Sequence, residues 1–355
     1  MELNELLKRT VEHQGSDLFI IPGAVPMCKS RGQLIPLSEE RIQPAESERL
    51  VKISYQYAGD REMDILTGQG DDDFSFSLQN LARFRCNVYR QRGTLAANYR
   101  VVTFGLPDPA ALHIPEQVMA QVKHRSGMVL VTGPAGSGKS TTLACMVDRI
   151  NDTRSGHIIT IEDPIEYLHR HKQSLVSQRE VPNDATTFAR ALRGALRQAP
   201  DVIMLGEMRD NETIATAITA AETGHLMLSS LHTIGAAKTI DRILDTFPPD
   251  QQQQIRVQLS LVLRAVISQR LIPTLDGALV PVFELMTITP AIQNMIRDGK
   301  TFQIDNVIYS GAMARDGDML SMDHELLHLY QTKRITKETM LLYAVNPETL
   351  AKRLM

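Results

Sequence analysis

Nine consecutive residues, Gly133, Pro134, Ala135, Gly136, Ser137, Gly138, Lys139, Ser140 and Thr141, form a complete G-x-x-x-x-G-K-[ST] phosphate loop. The glycines let backbone N–H groups turn inward around an anion. A helix starting at Lys139 adds the positive end of its dipole at the same place. Lys139 can bridge the β- and γ-phosphates of a nucleoside triphosphate, and Ser140 Oγ can ligate Mg²⁺. ATP with Mg²⁺ is therefore the expected ligand.

Three further stretches could complete a phosphoryl-transfer site. His157-Ile158-Ile159-Thr160-Ile161-Glu162-Asp163-Pro164-Ile165-Glu166 carries three carboxylates from an apolar run into a loop. Pro164 disfavours a helical Asp163, so the acids fall on an extended segment. One of them would orient or deprotonate the attacking water. A solvated acidic loop is the alternative, and the phosphate loop in the same domain favours the functional reading. Asp201-Val202-Ile203-Met204-Leu205-Gly206-Glu207 reads as a Walker B strand. Gly206 stands where many ATPases carry the Mg²⁺-holding Asp, so Glu207 would act through water or the metal's outer shell. Arg209 and Asp210 read as a structural ion pair. In Gly224 to Thr233, His225 and His232 lie seven apart and would face opposite sides of a regular strand. Only one can point into a site, and His232 at the carboxyl end is the better placed. A structural histidine remains the alternative; metal ligation lacks a cysteine or third histidine nearby.

The elements that must position these residues alternate. Strand 128–132 precedes the loop, and Leu143, Met146, Val147 and Ile150 mark one face of a helix over 139–150. Strand 157–161, a loop, helix 184–197, strand 202–205, helix 211–222, strand 226–231 and helix 235–244 follow. This rhythm predicts an α/β fold, a parallel sheet covered by helices on both faces. Residues 248–272 read as one long helical stretch broken by Pro273, and 290–355 as mostly helical.

Before this core, residues 2–13 read as a helix, Leu18–Ile21 as a strand, Met27–Leu37 as a hairpin turning at Arg31-Gly32, and 44–58 as a helix. Asp71-Asp72-Asp73 reads as a solvated turn. Residues 83–89 alternate, with Phe84, Cys86 and Val88 on one face and Arg83, Arg85, Asn87 and Tyr89 on the other. A second strand, about 96–102, carries Arg100. Such an arginine-lined face suits an anion or, equally, solvent. Leu106-Pro107-Asp108-Pro109 reads as a linker, and Ile114-Pro115 opens a helix ending near Lys123. The expected organisation is an N-terminal α+β domain over 1–108, a linker and start of the core over 109–120, and the ATPase domain with C-terminal helices over 121–355.

The 355 residues are 43% hydrophobic and 22% charged, as in ordinary globular proteins. A net charge of −3 does not suit a general nucleic-acid binder, so no nucleic-acid partner is expected. No apolar run approaches a bilayer span, and the N-terminus shows no signal peptide. Cys28, Cys86 and Cys145 form no C-x-x-C pair, which points to a reducing compartment, the cytoplasm.

The stretches GPAGSGKST, IEDPIEYLH, LGEMRDNETI and GHLMLSSLHTIGAAKTIDRI closely resemble the secretion ATPase superfamily and, within it, the type IV pilus retraction ATPases of the PilT family. LNELLKRTVEHQGSDLFI, RFRCNVYRQRGTLAANYR and AIQNMIRDGKTFQI extend the resemblance over nearly the whole chain. Phe19 and Gln293 depart from the family pattern, where His and Arg are expected. The resemblance implies a PAS-like N-terminal domain joined to a RecA-like ATPase domain, with ATP between them. It implies a homohexamer, peripheral at the inner face of the cell membrane, working on an inner-membrane platform protein to retract a pilus. By position, Glu166 matches the family's catalytic Glu, Glu207 its Walker B Glu and His232 its functional His. Arg85 and Arg100 match arginines that reach the phosphates. The missing tetracysteine motif argues against the assembly and type II secretion ATPases; a RecA-like nucleic-acid translocase is the more distant alternative.

Overall fold

The computed structural model describes residues 1–102, 105–314 and 317–352. The chain divides into two compact units, Met1–Gly105 and Leu106–Met355.

In the first unit, β1 (Asp17–Ile20), β2 (Met27–Ser30), β3 (Gln33–Pro36), β4 (Asp71–Leu78), β5 (Ala82–Gln91) and β6 (Thr94–Val102) make one antiparallel sheet in the order β3-β2-β1-β6-β5-β4. Arg31 and Gly32 both have positive φ, 50° and 80°, the backbone that a two-residue hairpin turn needs. The alternation in β5 is realised: Phe84, Cys86 and Val88 are fully buried. They pack with Phe74, Phe76 and Tyr99 against Leu3, Leu7, Leu50 and Tyr55 of helices Leu3–Glu12 and Pro44–Tyr57. The unit is thus a sheet with one face sealed by helices, an α+β arrangement.

The acidic run at 71–73 is not a solvated turn. It opens β4, and the strand's alternation turns Asp72 inward, where it is 3% exposed. Its carboxylate accepts from Tyr55 Oη at 3.0 Å and from Arg61 Nε and Nη2 at 3.1 and 3.0 Å. Only the tertiary fold supplies those partners, so the run of charge misleads when read alone.

In the second unit, β7 (Gly127–Thr132), β8 (His157–Glu162), β9 (Leu175–Glu180), β10 (Val202–Leu205), β11 (Leu226–Leu231), β12 (Leu263–Pro273) and β13 (Leu279–Thr287) form a sheet ordered β13-β12-β7-β11-β10-β8-β9. All neighbours are parallel except β12 and β13. Every residue of β7, β10 and β11 is buried, as expected of strands covered on both faces. Met128, Leu130, Ile159 and Ile203 pack with helices Phe188–Ala195, Asn211–Glu222 and Ala236–Leu244. Val129, Val131, Ile158 and Met204 pack with helix Lys139–Thr153. The α/β class is as expected.

Two expectations fail here. The stretch 248–272 is helical only over Pro249–Val262; Leu263–Pro273 is a strand seated between β7 and β13. Leu263–Pro273 is buried at most positions but mixes apolar residues with Arg264, Ser268, Gln269 and Arg270, so it shows no period-two alternation to separate it from the helix before it. The loop expected between 161 and 184 contains edge strand β9, and the following helix is shorter, Phe188–Ala195, capped by Thr187 accepting from Arg190 N. Residues 290–352 carry five α-helices among the described residues, Pro290–Arg297, Ile304–Ala312, Met322–Gln331, Lys337–Tyr343 and Pro347–Lys352. Positions 315–316 and 353–355 of the helical expectation lie outside the described residues.

The buried Asp72 network generates a test. Asp72→Ala removes the buried carboxylate that accepts from Arg61 and Tyr55 and should cost about 3 kcal/mol. Urea unfolding followed by circular dichroism should show one transition moved to lower denaturant, with ADP affinity unchanged. An unshifted curve would mean that Asp72 contributes nothing.

Candidate active site

β7 runs straight into the phosphate loop, and helix Lys139–Thr153 starts at its end. β7 lies between β11 and β12, whereas the next strand in sequence, β8, lies beyond β10. Such a change of winding direction opens a crevice at the carboxyl ends of the strands. A cavity of about 410 Å³ lies there, lined by Lys139, Ser140, Glu162, Glu166, Glu207 and His232 among others.

The loop's shape depends on β12. A Cβ at Gly133 (φ 147°) would stand 2.2 Å from Gln269 O, and one at Gly138 (φ 89°) would stand 2.9 Å from Gln269 Nε2. The backbone contact requires glycine at 133, whereas at 138 the positive φ is what favours glycine. Gln269 Oε1 also accepts from Thr142 Oγ1 at 2.7 Å. Gln269, 4% exposed, is thus the seat of the loop. Reading 248–272 as helix hides it, and the sequence carries no other signal for it.

Lys139 is 7% exposed. Its Nζ donates to Gly133 O at 3.0 Å and Pro134 O at 2.9 Å and lies 3.5 Å from His232 Nδ1. Burial lowers the ammonium's pKa, while the charges of Glu207 and Glu166 oppose that shift. The two carbonyl oxygens are acceptors that phosphate oxygens would replace. Among the described residues Ser137 Oγ, Thr132 Oγ1 and Ser229 Oγ are buried without a hydrogen-bond partner, the first in the loop and the others on β7 and β11. A buried ammonium and a glycine cradle at a helix N-terminus fit a triphosphate. Ser140, exposed on the cavity wall, is the hydroxyl placed to ligate Mg²⁺ beside it.

The three carboxylates after β8 separate by environment. Glu162 ends the strand, 7% exposed, and accepts from Thr160 Oγ1 at 2.6 Å and Gln178 Nε2 at 3.3 Å. Burial pushes its pKa up to about 7, with those two hydrogen bonds opposing. Asp163 and Glu166 are exposed on the cavity wall. Ile165 N between them is held by Glu180 Oε2 at 3.0 Å, and Tyr167 Oη meets Thr141 Oγ1 at 2.9 Å, tying the acidic loop to the phosphate-loop helix.

Gly206 is closely enclosed: its carbonyl accepts from Ser230 Oγ at 2.6 Å, and a Cβ would stand 3.4 Å from Glu162 Cα. The acid appears one residue later. Glu207, 9% exposed, meets His232 Nε2 at 3.3 Å and Arg209 Nη2 at 2.5 Å. The expected Arg209–Asp210 pair does not form. Asp210 instead caps helix Asn211–Glu222, accepting from Thr213 N at 2.8 Å. An Asp before a helix finds unpaired N–H groups within reach, and that local demand wins.

The histidines divide as the strand geometry requires. His225 precedes β11, with Nδ1 on Ala220 O at 2.9 Å, away from the loop; His232 follows it, between Lys139 and Glu207. Arg85 and Arg100 belong to the first unit. They face one another across β5 and β6, and Arg100 Nε donates to Asp17 Oδ1 at 3.1 Å.

A phosphate loop at the carboxyl edge of a parallel sheet, with a buried lysine facing an acid at the end of the neighbouring strands, defines a P-loop nucleoside-triphosphate-binding protein. Residues 108–341 match the family described as Type II/IV secretion system protein, and the chain belongs to that family. It is 43% identical to the "Type IV pilus retractation ATPase PilT" of Pseudomonas aeruginosa, over 88% of this chain and 90% of that one. It is 41% identical to the "Twitching motility protein" of Neisseria gonorrhoeae, over 98% and 91%. A crystal structure of the pilus retraction motor PilT with bound ADP superposes with a TM-score of 0.86 at 42% identity, covering 99% of each chain.

Glu162 generates a pH prediction. Its carboxyl holds a proton up to about pH 7 when folded, against a usual value of 4.5. The folded state therefore binds more protons between those values, so this contribution to stability is complete below 4.5 and lost as pH rises through about 7. Glu162→Gln should flatten the fall in unfolding free energy across that window by an amount on the order of 3 kcal/mol. Urea midpoints at about pH 5 and pH 8 measure it; identical pH dependence in both proteins would count against a buried, protonated Glu162.

Proposed function

We propose that this chain hydrolyses ATP, with Mg²⁺, to drive type IV pilus retraction and hence twitching motility. The observation that carries the reading is the meeting of Lys139, Glu207 and His232 at one wall of the phosphate-loop cavity, with Glu166 at another. The relatives' descriptions as a retraction ATPase and a twitching motility protein support the direction of work. We further infer a homohexamer on the cytoplasmic face of the inner membrane, engaging a platform protein there. Among the described residues no helix is long and apolar enough to cross a membrane, which is compatible with a peripheral position.

In this reading the loop amides and Lys139 hold the phosphates, and Ser140 holds Mg²⁺. When bound, the ion draws charge from the β- and γ-oxygens. Glu166, exposed on the cavity wall, orients and deprotonates the attacking water. Glu207 is fixed from two sides, by His232 and by Arg209, on the wall it shares with Lys139. His232 can carry a proton between that wall and the phosphate side. Arg85 and Arg100 are assigned to sensing the terminal phosphate, which would link their unit's motion to hydrolysis.

Lys139→Ala should lose ATP turnover by at least about a hundredfold together with nucleotide affinity. Glu166→Gln should lose turnover to a similar degree while keeping ATP affinity. Steady-state phosphate release and nucleotide titration measure both. Normal turnover in either variant rejects the site assignment. Cells producing only Glu166→Gln protein should hold excess, static pili; bald cells would instead indicate an assembly motor.

A further inference from the structure

Ser268 on β12 and Glu284 on β13 stand directly opposite one another in the strand register. Neither belongs to a motif that the site used. Glu284 is 4% exposed and Ser268 1%. Among the described residues Glu284 forms no ion pair within 4 Å, although Arg270, Asp305 and Asp323 act on it electrostatically, and a buried carboxyl needs hydrogen-bond partners to offset its desolvation. Its Oε1 accepts from Ala236 N at 2.8 Å, and Ser268 Oγ accepts from Gly235 N at 3.0 Å. These are the N-cap and first N–H groups of helix Ala236–Leu244, which carry the positive end of its dipole.

That helix starts four residues after His232. On the other side of His232, β11 ends at Leu231, fixed by its ladders to β7 and β10. The intervening loop is therefore pinned at both ends, and Thr233 Oγ1 is also tied to Thr239 Oγ1 of the helix at 2.7 Å. A segment this short leaves His232 little freedom once Gly235 and Ala236 are held.

We propose that Glu284, together with Ser268, is a positioning residue for catalysis: the pair forms a buried pedestal that sets the 232–235 loop and so fixes the imidazole of His232 between Glu207 and Lys139. The proposal rests on the reading of His232 as part of the hydrolytic site. Only an acceptor oxygen is needed on the pedestal, so a glutamine serves in place of the acid, whereas an apolar side chain of the same length does not.

The experiment compares ATP turnover, KM and thermal unfolding of the full chain for Glu284→Gln, Glu284→Met, His232→Ala and the Glu284→Met/His232→Ala pair. Glu284→Gln should keep kcat within about twofold, and Glu284→Met should lower it about tenfold with KM for ATP changed less than about twofold. The double variant should be no slower than His232→Ala, because the pedestal acts through that imidazole. Multiplying losses, a Gln variant as slow as the Met variant, or full turnover in Glu284→Met beside a crippled His232→Ala would each overturn the proposal. Should Glu284→Met not fold, Ser268→Ala removes the second acceptor and must show the same selective loss of kcat. Full turnover in His232→Ala would instead remove the reading of His232 on which the pedestal rests.

Discussion

The contact between Gly133 and the backbone of Gln269 is the constraint on which the site depends. With a would-be Cβ only 2.2 Å from Gln269 O, the loop lies directly on β12 and can take only the shape that strand allows. Thr142 fastens the first helical turn to the same side chain. A loop of small residues has little packing of its own and loses much entropy on ordering. Here the order comes from a strand that is itself held on both sides by β7 and β13. The cradle for phosphate is therefore a property of the sheet as much as of the loop.

Electrostatics then sorts the groups around the cradle. Lys139 is buried against carbonyl oxygens and feels the charges of Glu207 and Glu166. Glu162, nearly buried at the end of β8 and hydrogen-bonded to Thr160 and Gln178, has its pKa pushed up to about 7. Adjacent acids thus differ in character because burial differs, not because their side chains do. Raising this pKa lessens the negative charge beside a cavity where a triphosphate would bring several more. Glu207 shares a wall with Arg209 and His232, which hold its carboxyl oxygens in place.

The first unit obeys the same physics with another outcome. Alternation along β5 and β6 buries one face and leaves Arg85 opposite Arg100 on the other. Two like charges across strands repel, and Asp17, the partner of Arg100 on β1, offsets the repulsion. Asp72 shows how a charge is kept inside: two donors from Arg61 and one from Tyr55 replace its water. Polar contacts of this kind hold the sheet in one register while its apolar face closes the core.

Motif spacing marked the phosphate loop, the acids at 162–166 and Glu207, and strand geometry placed His232 rather than His225 on the side of the phosphate loop. Each lies within a few residues of a strand end, where local geometry decides direction. The alternation in residues 83–89 and the strand–helix rhythm from 128 to 244 were legible for the same reason: a repeat of two or 3.6 residues shows which face is buried. Tertiary structure alone decided what depends on partners distant in sequence. Gln269 and Glu284 became visible only when 263–273 and 279–287 proved to be paired strands, because polar residues buried in both strands break the alternation that would mark them. Asp72, Asp210 and Arg209 found partners other than those their neighbours in sequence suggested, since a charge takes whichever donor or acceptor the fold brings within hydrogen-bond reach.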